Sequence, residues 1–225
     1  MVGEKLQLGE VLSFGWGAFK QRAGFWIGVA AILFGLTIVY QVLGGIFAGV
    51  FGGSGLLLGV ISLALLAAYV YAQTRLTVGI TSMALATADG GTPGYESLLA
   101  KPHLLMRYFL AYMLFSIATG IGFLLLVIPG VYLLIRFGLF GFAIVDREVG
   151  VVDSFNASSA LTEGYRWDLL LIGVVLFLLN AIAAIPFGLG LLITLPITIL
   201  CVAYMYRRLE RAHGRFTPRP PTPIL

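Results

Sequence analysis

The chain carries a single cysteine, Cys201, and two histidines, His103 and His213, and only 11% of its 225 residues are charged. One cysteine excludes a disulfide scaffold. Two isolated histidines, with no HExxH or CxxC spacing in the sequence, supply no ligand set for a catalytic or structural metal. Ordinary soluble domains are about a quarter charged, so this chain is not one of them. Disorder is excluded as well, because apolar residues are abundant. Glycine is plentiful at 29 residues but has no strict period, which excludes a collagen-like chain. What the sequence does have is hydrophobicity: 60% of its residues are apolar and the mean hydropathy is +1.00. That is the composition of a polytopic membrane protein.

A hydrocarbon core of about 30 Å takes roughly 20 apolar residues per helix. Such runs occur at Phe25 to Phe47, Leu56 to Ala86, Leu104 to Ile128, Val131 to Val145, Trp167 to Ile185 and Leu191 to Tyr206. The second is longer than a perpendicular crossing needs and should tilt or project from the bilayer. The fourth is short. Helix-breaking residues separate them in pairs: Gly52 to Gly55, then Pro129 and Gly130, then Pro186 to Gly190. Barrel strands alternate in polarity, whereas these runs are apolar on every face. The expectation is an all-α integral membrane protein with six transmembrane helices in three hairpins. Residues 1–24 would form a cytoplasmic amphipathic helix, 25–212 the bundle, and the proline-rich 213–225 a disordered cytoplasmic tail.

Charge gives the orientation. The turns after the first, third and fifth runs hold no charged residue, while Lys5, Lys20, Arg22, Lys101, Arg107, Arg147 and Arg166 crowd the other connections and five arginines follow Tyr206. Positive residues mark the cytoplasmic side, so both termini are expected there, in a multi-pass protein of the cell membrane. The net charge of +4 makes that face a partner for anionic lipid headgroups. No nucleic-acid fold or aromatic motif accompanies it. A cleavable signal is not expected, because Glu4 and Glu10 interrupt the N-terminal region. Cys201, inside the sixth run, is expected to be a small buried residue.

The cytoplasmic segments carry helical patterns of their own. Leu8, Val11, Leu12, Trp16 and Phe19 recur at the spacing of an amphipathic helix. Thr92, Pro93 and Glu96 read as the cap, first position and first turn of a second short helix. A third is expected from Val151 to Thr162, with Val151, Phe155 and Leu161 near one side and Asp153, Ser154 and Ser158 towards another. Each precedes a polar stretch and a hairpin, so the chain reads as a threefold repeat of amphipathic helix, span, turn and span.

The stretch IPGVYLLIRFGLFGFAIVDREVGVVDSFNASSALTEGYRW, residues 128–167, has a Pro-Gly pair, a helix with an Arg, an acidic exit, a short helix with a Ser, and a Thr-x-Gly segment. In this order it resembles the glycerophosphoryl diester phosphodiesterase membrane-domain family and its YciC-like bacterial relatives. Pro129, Gly130, Arg136, Asp146, Ser158, Thr162 and Gly164 match that pattern, and the opening LGEVLSFGWGAFKQRAGFW and the ending GLGLLITLPITILCVAYMYRRL are similar too. In the named enzymes a separate hydrolase domain follows this region. The resemblance therefore implies a stand-alone membrane domain and carries no hydrolase activity with it.

Catalysis is not expected, since glycerophosphodiester hydrolysis needs histidine and clustered carboxylates. Asp146, Glu148 and Asp153 are the one acidic group near enough in sequence to offer oxygens to a cation, against the plain reading of a solvated loop. No cofactor is implied. Polar residues inside the spans are the better pointers to a site. Arg75 sits in the second run, where it either snorkels or faces protein. Arg136 lies six residues after Gly130, about 9 Å inward from the far-side turn. Asn180, six residues before Pro186, and Gln41 in the first run reach similar depths. Arg136 is expected to point inward to Asn180, Gln41 or helix-end carbonyls, or to hold a lipid phosphate; an Arg that snorkels to the headgroups is the alternative. Two functions fit: an accessory or scaffold module that engages lipids or a partner membrane protein, and a carrier for an anionic lipid-related solute with Arg136 in its path.

Overall fold

The computed structural model describes residues 6–50, 56–99 and 101–214. The glycine-rich turn at 51–55 and the chain from 215 to 225 lie outside the described residues. Nine helices are described: α1 Leu8–Gln21, α2 Ala23–Val50, α3 Leu56–Ala88, α4 Leu105–Leu125, α5 Val127–Phe137, α6 Phe140–Arg147, α7 Val151–Thr162, α8 Arg166–Ala184 and α9 Leu191–Ala212. There is no strand among the described residues. Six segments are long and apolar enough to cross a membrane: α2, α3, α4 with the turns before it, the α5–α6 pair, α8 and α9. The protein has the helices of a multi-pass membrane protein.

Three local expectations are corrected. The chain reverses at Leu126, whose backbone is extended, and not at Pro129 and Gly130. Those two residues lie in the first turn of α5, where proline costs nothing because its missing N–H would have had no helical partner. Gly130 there lies against the Phe123 ring and Gly122 of α4, too close for a side chain to fit. The fourth run is two helices rather than one, broken at Gly138 and Leu139. The segment after Pro93 forms two short 3-10 turns, Tyr95–Leu99 and Pro102–Leu104, joined through Lys101 in the left-handed region. Leu98 of the first turn presses its backbone onto Gly79 of α3, leaving no room for a Cβ there.

Burial is concentrated at one end. Val78 to Leu85 of α3, Phe140 to Val145 of α6 and Leu200 to Glu210 of α9 supply most of the core, covered by Val11 and Phe19 of α1 and by α7. α1 lies along α9, where Gly15 fits against Cys201 and Ile197. Cys201 is fully buried and donates to the Val11 carbonyl, 3.3 Å away. Trp16, by contrast, is half exposed. Beyond this core the helices present apolar side chains outward, among them Ile38, Val42 and Ile46 of α2 and Val60 and Leu63 of α3. Hydrocarbon offers no hydrophobic drive to pair such surfaces, so polar ties and close contact must hold them. One tie joins α2 to α3: Gln73 donates to Thr37 at 3.1 Å and to the Tyr69 hydroxyl at 3.0 Å, with Tyr40 stacked on Tyr69. Another joins α8 to α9, where Asn180 donates to Thr198 at 2.8 Å.

Candidate functional site

The break between α5 and α6 exposes backbone groups that a continuous helix would have satisfied. α7 supplies the replacements. Ser158 donates to the Arg136 carbonyl at 3.0 Å and accepts the Leu139 N–H at 3.2 Å, while Thr162 donates to the same carbonyl at 3.3 Å. Ser154, Ser158 and Thr162 are therefore buried, although the sequence pattern placed the serines away from the apolar side. Their hydroxyls serve backbone atoms, and hydropathy does not register that use.

This junction also fixes Arg136. Its Nε donates to Ser159 of α7 at 2.8 Å, its Nη1 is 3.5 Å from the Tyr132 hydroxyl, and its guanidinium lies 5.2 Å from the Phe137 ring centre. Neither expected partner reaches it. Asn180 is bonded to Leu176 and Thr198, and Gln41 is exposed on α2. α5 begins at Val127, so Arg136 lies in its last turn, beside α7 and the start of α8. Arg166, the first residue of α8, places its guanidinium 5.2 Å from the centre of the Tyr132 ring, and Arg136 lies 6.0 Å from the same centre. Arg75 is elsewhere, donating to the Leu99 carbonyl at 3.2 Å and approaching the Tyr71 hydroxyl at 3.4 Å. Pro186 sits where it was expected, in the turn between α8 and α9.

A second polar group closes the buried end. Arg207 of α9 grips both oxygens of Asp146 of α6, Nη1 to Oδ2 and Nη2 to Oδ1 at 2.8 Å each, and also reaches Asp89 after α3 at 2.8 Å and Glu210 at 2.7 Å. Arg147 forks onto Glu210 Oε1 at 3.0 and 2.7 Å. Two guanidiniums and three carboxylates thus tie α3, α6 and α9 together in a region where Arg207 and Glu210 are almost fully buried. Unpaired, any of them would carry a heavy desolvation cost. The sequence reading missed this network, taking Asp146 as a loop carboxylate and Arg207 as one of several basic tail residues. The available signal was the placing of Arg207 and Glu210 one helical turn apart, directly after an apolar run.

Asp146, Glu148 and Asp153 do not converge. Glu148, in the left-handed region at the end of α6, pairs with Lys101 at 3.0 Å and His103 at 3.2 Å, and its carbonyl accepts from Arg107 at 2.8 Å. The ammonium of Lys101, and then the His103 ring, hold its carboxyl below the usual carboxylate range against a smaller opposing effect of burial. No group of three His, Cys, Asp or Glu side chains arranged for a metal occurs among the described residues. A cavity of about 320 Å³ between α2, α3, α6 and α9 is apolar, lined by Trp26, Leu33, Ile80, Phe142, Pro196 and neighbours. Comparison with protein-family models, curated proteins and solved structures finds no match for the chain.

Proposed function

We propose that the protein is an accessory or scaffold module of the membrane, which engages lipids or a partner membrane protein and catalyses no reaction. The observation that carries this reading is the division of the molecule into two parts: an end locked by a buried charge network, and long helices whose apolar sides face outward. A rigid base with helices spread for contact is what a holding module needs. The resemblance to the membrane-domain family and its YciC-like relatives supports the same reading. So does the concentration of Lys and Arg at the locked end, which favours anionic headgroups there.

In this reading both termini are cytoplasmic and the spans form three hairpins, α2–α3, α4–α5 and α8–α9, the middle one shallower than its neighbours. α1 lies on the cytoplasmic side with Trp16 at the interface, and a short helical segment precedes each hairpin, as in a threefold repeat. The carrier reading is the weaker one, because Arg136 gives its head to α7 rather than to Asn180 or Gln41, and the cavity at the locked end is apolar. Native mass spectrometry of the full chain in mild detergent tests the proposal. Retained phospholipid or a retained second membrane protein is the expected result; a bare chain, with solute uptake in reconstituted vesicles, would overturn it.

A further inference from the structure

We infer that Arg136, Arg166 and Tyr132 form a binding site for the phosphate of an anionic phospholipid. The inference rests on the lipid-engaging reading above and names its headgroup site. Two guanidiniums address a single tyrosine ring, at 5.2 and 6.0 Å from its centre. Like charges brought to one ring repel unless an anion lies with them. Among the described residues no carboxylate pairs with either arginine: Asp168 accepts the N–H of Leu6, and Glu163 forms no ion pair. Among the described residues the Arg166 side chain makes no hydrogen bond, and its Nε is buried without a partner. A guanidinium has five donors, and leaving them unused in a partly buried place is costly.

The setting adds a third source of positive potential. Arg166 is the first residue of the 19-residue α8, where the helix dipole is positive and no side chain caps the free N–H groups. A cation there is opposed by the helix itself, and a phosphate at that point would satisfy helix and arginine together. The apolar surroundings select a lipid over free phosphate. Trp167 is 81% exposed beside Arg166, and Ile128 and Leu134 of α5 and Leu171 and Val174 of α8 face outward nearby in sequence. Trp and Tyr at this level are the residues of a membrane interface, and the aliphatic side chains suit acyl chains. Arg136, held by Ser159, is the positioned half of the clamp; Arg166 is the half without a hydrogen bond.

The test is native mass spectrometry of the full chain in mild detergent, titrated separately with phosphatidylglycerol, with phosphatidylcholine of the same acyl chains, and with inorganic phosphate. Wild type should retain phosphatidylglycerol in preference to phosphatidylcholine and take up no inorganic phosphate. Arg166→Gln should weaken phosphatidylglycerol retention about tenfold, the scale of one charge-assisted fork, while Lys20→Gln, an equal loss of surface charge, should not. Arg166→Lys should recover only part, since it restores charge without the fork. Arg136→Gln is expected to match Arg166→Gln; should it fail to fold through loss of the Ser159 bond, Arg166→Gln alone decides. Equal retention by Arg166→Gln and Lys20→Gln overturns the site and leaves the accessory reading standing. Competition by inorganic phosphate overturns the lipid assignment. A wild type that retains neither lipid nor protein overturns both.

Discussion

Arg207 and Asp146 face each other across α9 and α6 in a two-pronged pair, both bonds 2.8 Å long, with Arg207 almost wholly buried. Removing Asp146 takes the two-pronged partner from Arg207, which keeps Asp89 and Glu210, and removing Arg207 takes the guanidinium from Asp146; breaking such a buried pair costs up to about 3–5 kcal/mol. Asp146→Asn and Arg207→Met should therefore each sharply lower the midpoint of thermal unfolding in detergent, and Arg207→Lys should help little because it lacks the planar fork. The double change Asp146→Leu with Arg207→Met should be milder than the sum of its parts. Strict additivity would mean that the two side chains are not coupled.

Ser158 carries a smaller load of the same kind. Its hydroxyl bonds two backbone groups at the α5–α6 break; in Ser158→Ala the Leu139 N–H loses that partner, while the Arg136 carbonyl keeps Thr162. A loss of roughly 1–3 kcal/mol is expected for a buried group left unsatisfied. Ser158→Thr retains the hydroxyl but adds a methyl to a fully buried site, so it should also destabilise. Faster amide exchange confined to residues 136–140 in Ser158→Ala is the local signature to look for, and unchanged exchange there would argue against the bridging role.

Helical class and the number of candidate spans were legible in the sequence because they depend on run length and composition, which no tertiary contact can hide. The extent of α7 was legible too, from Val151 to Thr162. Its inward face was not, since Ser154 and Ser158 are buried to serve backbone atoms and a polarity pattern counts them as outward. Pro129 misled for a similar reason: a proline ends one helix or opens the next, and only the geometry at Leu126 distinguishes the two. Arg136 was singled out from its position in an apolar run, but its partners Ser159 and Tyr132, and its neighbour Arg166, come from a fold-back that sequence distance does not encode.

Glu148 gives the protein an acid-sensitive contact. Lys101 and His103 lower its folded-state carboxyl below the ordinary range, so the contact contributes stability above that range and loses it as pH falls through the lowered value. On acidification the tie between the end of α6 and the 101–107 segment should loosen. Glu148→Gln should be less stable than wild type at neutral pH, and the gap should close in acid. Because Glu148 is substantially exposed, the effect should be small and should fade at high salt. A gap that persists at low pH would place the contribution in packing instead of charge.

Tyr132 ties α5 to the start of α8 and so limits how far along α8 the α4–α5 turn reaches. Its ring takes the guanidinium of Arg166, the first residue of α8, yet Tyr132 is only six residues past Leu126, about 9 Å along α5. α8 runs on from Arg166 to Ala184, about 27 Å. The turn at Leu126 should accordingly end partway along α8, and Leu124 to Ile128, all apolar and all exposed, would rest in hydrocarbon and not in far-side water. Single cysteines in a Cys201→Ala background make this measurable in intact cells. A cysteine at Phe187, fully exposed in the α8–α9 turn, should react with an impermeant maleimide from outside, whereas one at Leu126 should react from neither side. Cysteines at Thr92 and Gly150 should react only after the membrane is opened. Ready labelling of position 126 from outside would show a full crossing by α4, and would require α5 and α8 to lie differently from the arrangement that joins Tyr132 to Arg166.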